Sequence, residues 1–276
     1  MLLEALSLSH YYAEGSRSLD DCSLAIRQGS RNALLGANGS GKTTLLQHFN
    51  GLLRPHGGSL RFAGAPLDTS RAGLTALRRR VGLVFQNPDR QLFSASVVED
   101  VSFGPLNLGL DDATVRHRVA EALAAVGMTD YADRPVHHLS FGQKKRVCIA
   151  GVLAMHPDVL LLDEPMAGLD TTMQAELLTV LGRLAGQGIT IVLSTHDADF
   201  AYHWADDIHL LTKGRCIASF PASELPAQAA AMHQAEQAMP SVVALHRALA
   251  ARGVVSGNVP RSLDALLATL STQETL

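Results

Sequence analysis

Apolar residues fall along this chain in three patterns. In residues 1–35 they alternate with polar ones, and the alternation breaks at Glu14-Gly15 and Gln28-Gly29, so short strands joined by turns are expected. A second pattern is the unbroken apolar run: Ala33-Leu34-Leu35, Val81 to Phe85, Val159 to Leu162 and Ile189 to Ser194. Such runs read as strands buried on both faces, and residues 59–63 read as a further strand. The third pattern has helical spacing, with Val115, Val119, Leu123 and Val126 recurring after Asp112 and Gly127 as the stop. Residues 86–110 show no period and hold Pro88, Gly104, Pro105 and Gly109, which predicts loop and short helix. Buried strands separated by helices predict a parallel α/β sheet. After Lys213-Gly214, a hairpin turn, residues 221–276 become alanine-rich and helical in pattern, punctuated by Pro221, Pro226, Pro240 and Pro260. A small helical appendage is expected there. No internal repeat is visible.

The chemistry concentrates where the buried runs end. Gly36 to Thr44 fits the phosphate-loop pattern G-x-x-x-x-G-K-[ST], between a strand and a helix start at Thr44-Leu45-Leu46. The glycines let successive backbone N–H groups of Asn38, Gly39, Ser40, Gly41, Lys42, Thr43 and Thr44 curl around one anion, and the following helix adds its positive end. Lys42 is expected on the β- and γ-phosphates and the Thr43 hydroxyl on Mg²⁺. Asp163-Glu164 closes the Leu160–Leu162 run, at the strand end where parallel sheets bind ligands. Asp163 is assigned to the metal and Glu164 to general-base work on an attacking water. His196 follows another buried run and suits a γ-phosphate, while Gln86 follows Val81–Phe85 and suits a bridge between water and Mg²⁺. Ser140 is a helix N-cap ahead of a second apolar helix, and a helix N-terminus is a further anion site. One nucleotide has no need of two such sites on one chain. Two chains arranged head to tail would each complete the other's.

Composition narrows the class. The 276 residues are 47% hydrophobic, ample for a large core. A net charge of −3 with 5% aromatic residues excludes a nucleic-acid binder that works by phosphate neutralisation and base stacking. Cys22, Cys148 and Cys216 are odd in number and scattered, as core residues of a reducing compartment are. No apolar run approaches the ~20 residues of a membrane span, and Met-Leu-Leu-Glu-Ala lacks a secretory start. A cytoplasmic protein is expected, with any membrane role exerted through a partner.

Gly36–Thr44, Gln86, Leu139–Gln143, Leu160–Glu164, Ala167–Asp170 and His196 stand in the order and spacing of an ABC-transporter ATPase subunit, a resemblance spanning residues 1–220. It implies a P-loop NTPase (ABC ATPase) α/β core with an N-terminal antiparallel β layer and a helical subdomain inserted at about 88–158, followed by a C-terminal helical tail over 221–276. It also implies two ATP molecules with Mg²⁺ sandwiched in a head-to-tail dimer with a second ATPase chain, expected to be an identical copy. By the same resemblance Tyr12 stacks on adenine, with Tyr11 as the rival, and Ser140, Gly142 and Gln143 touch the γ-phosphate held by the other chain. Lys42, Gln86, Glu164 and His196 are the catalytic set, and Thr43, Gln86 and Asp163 the metal set. Phe141 departs from the family's usual glycine.

Gln86-Asn87-Pro88-Asp89-Arg90-Gln91-Leu92-Phe93 and Val98–Pro105 resemble energy-coupling-factor transporters, especially their cobalt and nickel ATPases. The partners so implied are a transmembrane coupling subunit and a substrate-specific membrane subunit, with the chain at the cytoplasmic face of the membrane. Gln91, Leu92 and Phe93 are the candidate contact surface. A vitamin-importing module is the alternative, and a soluble non-transport ATPase a more distant one.

Overall fold

Alternation and turns build the first layer. In a computed structural model, which describes residues 1–273 and side chains to Ser271, β1 (Leu3–Tyr11) and β2 (Arg17–Ile26) form a hairpin around Gly15, which takes φ 84°. The apolar run then gives β3 (Arg31–Leu35), followed by the glycine loop and α1 (Lys42–Phe49). Next come β4 (Gly57–Phe62), β5 (Ala65–Pro66), α2 (Arg71–Arg80) and β6 (Val81–Val84). The aperiodic stretch yields α3 (Val97–Asn107), opened by a capping box in which Ser96 and Glu99 bond each other's backbone N–H. Then follow α4 (Asp112–Ala125), α5 (Phe141–Leu153), β7 (Val159–Leu162), α6 (Thr171–Gly186), β8 (Thr190–Thr195) and α7 (Ala198–Trp204). A hairpin of β9 (Asp207–Thr212) and β10 (Arg215–Pro221) turns on Lys213 and Gly214, both at positive φ. The last elements are α8 (Ala229–Gln234), α9 (Ser241–Ala250) and α10 (Leu263–Gln273). The last three residues of the expected 221–276 tail lie outside the described residues.

Two sheets result. The N-terminal one is antiparallel, in the order β2-β1-β4-β5. The central one runs β10-β9-β3-β8-β7-β6, parallel from β9 to β6 with β10 antiparallel at the edge. The fold class expected from the sequence is the one observed.

The unbroken runs are explained by burial on two sides. In β7, Val159 and Leu161 join a core shared with the N-terminal sheet and α1, whereas Leu160 and Leu162 join a second core under α5 and α6. A strand with apolar neighbours on both faces has no polar alternation to show. The helical region is keyed to the sheet at Gly82, where an added Cβ would lie 2.0 Å from Val152 Cγ1 of α5. The C-terminal segment is seated on α7. Ser241 donates its backbone N–H (2.7 Å) and hydroxyl (3.0 Å) to the Asp199 carboxylate, and the Arg261 guanidinium donates to the carbonyls of Tyr202 and Ala205. Among the described residues no helix is long and apolar enough to cross a membrane.

Candidate nucleotide site

The glycine loop leaves β3 at Gly36, which has no room for a side chain: a Cβ would fall 2.2 Å from the Leu211 carbonyl oxygen. Gly39 (φ 80°) and Gly41 (φ 103°) take left-handed conformations, and α1 starts at Lys42. The Lys42 ammonium is buried and donates to the carbonyls of Gly36 (2.7 Å) and Ala37 (3.1 Å). It also stands 3.4 Å from Glu164 Oε1. The loop's own carbonyls therefore hold the cation in this structure.

The acids at the end of β7 are wired to β8. Ser194 is fully buried and donates its hydroxyl to Asp163 Oδ1 at 2.7 Å, while accepting the Glu164 N–H at 2.8 Å. Thr43 Oγ1 lies 3.0 and 2.8 Å from the two Asp163 oxygens, as donor. Glu164 itself sits at φ 43°. Its Oε2 meets His196 Nδ1 at 3.1 Å, and its Oε1 is buried with no hydrogen-bond partner. His196 remains 60% exposed, open to a ligand.

A cleft of about 290 Å³ is lined by Ser18, Asn38 to Thr44, Gln86, Glu164 and His196. Gln86 also lines an adjoining hollow with Thr43 and Asp163. A hydroxyl, one carboxylate and an amide oxygen are hard oxygen donors that suit Mg²⁺ held mainly by water and phosphate. Among the described residues no three His, Cys, Asp or Glu side chains gather in a metal-holding group, so a site built wholly from such ligands is absent there. Tyr12 bonds Thr44 Oγ1 through its hydroxyl at 2.9 Å, whereas Tyr11 packs against Arg17 and His56. Of the two rivals, Tyr12 is the one against the loop.

Ser140, Gly142 and Gln143 stand elsewhere. Ser140 caps α5 and forms a reciprocal box with Gln143. Together with Gly142 they line a separate hollow of about 230 Å³ beside Asp170. The Phe141 ring turns toward its own chain: Gly168 lies beneath it, and the Lys145 ammonium is 5.2 Å from its centroid. Gln91 is not a free surface residue, because its Oε1 accepts the Phe85 N–H at 3.1 Å. Phe93 is 65% exposed, edge to face with Phe103.

Three contributors were not singled out from the sequence. Ser194 is the penultimate residue of the buried strand β8, and its polarity beside the acid-bearing strand was a usable signal. Lys145, buried, donates to the carbonyls of Pro165 (2.6 Å) and Ala167 (2.7 Å), and burial pushes its pKa down to about 8. In sequence it sits between Lys144 and Arg146 with nothing to distinguish it. Gln237, of the C-terminal segment, reaches the cleft's edge with no sequence signal at all.

Comparison with known proteins agrees with this geometry. Residues 19–167 match the family described as ABC transporter. The chain is 48% identical over 272 residues to the cobalt import ATP-binding protein CbiO of Rhodobacter capsulatus, covering 98% of this chain and 97% of that protein. It is 41% identical over 275 residues to the energy-coupling factor transporter ATP-binding protein EcfA of Methanosphaera stadtmanae, covering 98% and 99%. Among solved structures, cbiO1 of Clostridium perfringens, part of the ABC transporter complex cbiONQ, superposes with TM-score 0.76 at 42% identity, covering 89% of this chain and 98% of that one. A dimeric ATP-binding cassette bound to ADP and Pi superposes with TM-score 0.72 at 27% identity, covering 80% and 99%. Strand-end acids wired to a glycine loop, in a chain so related over its length, make this protein an ATPase that belongs to the ABC transporter family.

Proposed function

We propose that this chain is the ATP-hydrolysing subunit of an energy-coupling-factor importer for cobalt or nickel ions. The observation that carries the reading is the 48% identity to a cobalt import ATP-binding protein across 98% of the chain, its C-terminal segment included. In the proposed cycle the chain pairs head to tail with a second ATPase copy. The glycine loop of one chain and Ser140, Gly142 and Gln143 of the other then enclose each ATP. That the two sets of residues line separate hollows in one chain supports this reading.

Tyr12 stacks on the adenine. The Lys42 ammonium exchanges the Gly36 and Ala37 carbonyls for β- and γ-phosphate oxygens. Thr43, Asp163 and Gln86 would hold Mg²⁺, which supplies charge neutralisation at those oxygens. Glu164 Oε2 accepts a proton from the attacking water, and His196 donates to a γ-phosphate oxygen. Ser194 keeps Asp163 and Glu164 in fixed relation throughout. Closure of the pair moves a transmembrane coupling subunit at the cytoplasmic face of the membrane. That subunit docks in a groove of about 460 Å³ beside Phe93 and Phe103. A second reading, the ATPase of a vitamin-importing module, is supported by the 41% identity to EcfA over 98% of the chain.

The test is cellular uptake of trace Co²⁺ and Ni²⁺ with the intact chain and with Glu164→Gln. Loss of uptake of one metal upon substitution is the expected result. Unchanged uptake of both overturns the metal reading and leaves the ATPase in place.

A further inference from the structure

The C-terminal segment touches the nucleotide cleft through one side chain. Between α8 and α9 the backbone turns at Glu236, which takes φ 57°, and brings Gln237 between the glycine loop and the turn after β8. With its amide oriented as the polarity of its neighbours requires, the Gln237 oxygen accepts the Ala37 N–H at 3.2 Å. Its nitrogen donates to the His196 carbonyl at 3.1 Å.

The position of this bridge is informative. β3 and β8 are paired in parallel up to Leu35 and Thr195, and the last direct bond between them runs from Gly36 N to Thr195 O at 3.3 Å. Beyond that point the two backbones part to make the cleft. Gln237 links the next donor and acceptor along the two chains, the Ala37 N–H and the His196 carbonyl, which make no direct bond to each other. Both ends lie one residue's width from the chemistry. The Ala37 carbonyl holds the Lys42 ammonium, and the His196 imidazole holds Glu164 Oε2. The bridge is itself fixed from below. Met232 and Ala235 before it are buried, Pro240 after it is buried, and Ser241 is bonded twice to Asp199 on α7, the helix that follows His196.

We propose that Gln237 is a positioning residue for ATP hydrolysis, setting the gap between Ala37 and His196 and so the place of the His196 imidazole over the γ-phosphate. The C-terminal segment is then part of the hydrolytic apparatus as well as an appendage. The inference rests on the proposed role of His196.

The test is a double-mutant cycle, read by single-turnover hydrolysis at saturating ATP so that slow variants remain measurable. Gln237→Met keeps length and bulk and removes both hydrogen bonds. It should lower the rate roughly 2- to 30-fold, with nucleotide affinity and thermal midpoint unchanged. Gln237→Glu keeps the acceptor but loses the donor to His196, so it should lose most of the same rate. In a His196→Ala background, Gln237→Met should change the rate by less than about twofold, because the group it positions is gone. A full rate in both Gln237 variants overturns the inference, as does the same fold-loss of Gln237→Met with and without His196. A fully active His196→Ala chain refutes the role assigned to His196 and removes the inference with it.

Discussion

Ser194→Ala is the substitution that most directly tests how the acids are held. The hydroxyl is fully buried, donates to Asp163 Oδ1 at 2.7 Å and accepts from the Glu164 N–H at 2.8 Å. Losing a hydrogen bond to a charged group costs about 1.5–3 kcal/mol, and stranding a buried N–H about 1–3 kcal/mol. Both acids border the cleft, so water recovers part of this, and a net loss of about 2–4 kcal/mol is expected. For a chain of 276 residues that corresponds to a fall in thermal midpoint of about 3–7 °C. Hydrolysis should fall at least tenfold, since Glu164 loses the bond that fixes its backbone. The assay is urea unfolding of the nucleotide-free protein beside steady-state ATP turnover. Ser194→Thr is the control: it keeps the hydroxyl and adds a methyl to a packed site, so it should lose stability to crowding yet retain most turnover. A Ser194→Ala chain within about 0.5 kcal/mol of the parent and fully active would refute the reasoning.

Three further outcomes are expected. His48 is fully buried, neither ring nitrogen has a partner, and burial pushes its pKa down to about 4. Its folded pKa lies below the unfolded value of 6.5, so the stability it supports is complete above pH 6.5 and is lost as pH falls toward 4. His48→Leu should be neutral or stabilising at pH 7 and should flatten that acid limb by about one proton, and an unchanged limb would contradict this. Lys145, with its pKa pushed down to about 8, should make the parent gain stability as pH rises from 8 toward 10.5, because the unfolded chain binds the proton longer. Lys145→Met should lack this rise in denaturation curves taken across that range. Gly82→Ala should cost at least about 1–3 kcal/mol through the clash with Val152, and pairing it with Val152→Ala should restore much of the loss.

The elements were legible where a single face decides the pattern and illegible where several do. The β7 and β8 runs announced themselves because both their faces are covered. The helix α3 did not, since it is short, carries Pro105, and buries only Val97, Val101 and Pro105 among its residues. A capping box at Ser96 and Glu99 was there to be read. Parity could not choose between Tyr11 and Tyr12, because β1 carries register shifts at Leu8, His10 and Tyr11. The cleft was readable from strand ends, since Lys42, Thr43, Asp163, Glu164 and His196 all follow buried runs that the sheet aligns. Lys145 and Gln237 meet backbone groups of other segments, and a linear pattern holds no record of which backbone group a side chain will meet, whereas Ser194 was readable as a polar residue beside the acid-bearing strand.

The left-handed backbone at Glu164 carries a practical consequence for anyone improving this protein. At φ 43° a glutamate is held in a conformation that asparagine adopts more readily, at a cost of about 1–3 kcal/mol to the native chain. Replacing the acid by asparagine relaxes that strain but gives up the Oε1 ion pair with the Lys42 ammonium and the Oε2 bond to His196. Where strain relief exceeds the loss of those contacts, a library sorted on heat resistance alone would be drawn toward molecules that resist melting at the expense of the hydrolysis proposed for Glu164. Selection for robustness and selection for work point in opposite directions at this one position, so any thermostability screen has to be run with a turnover gate.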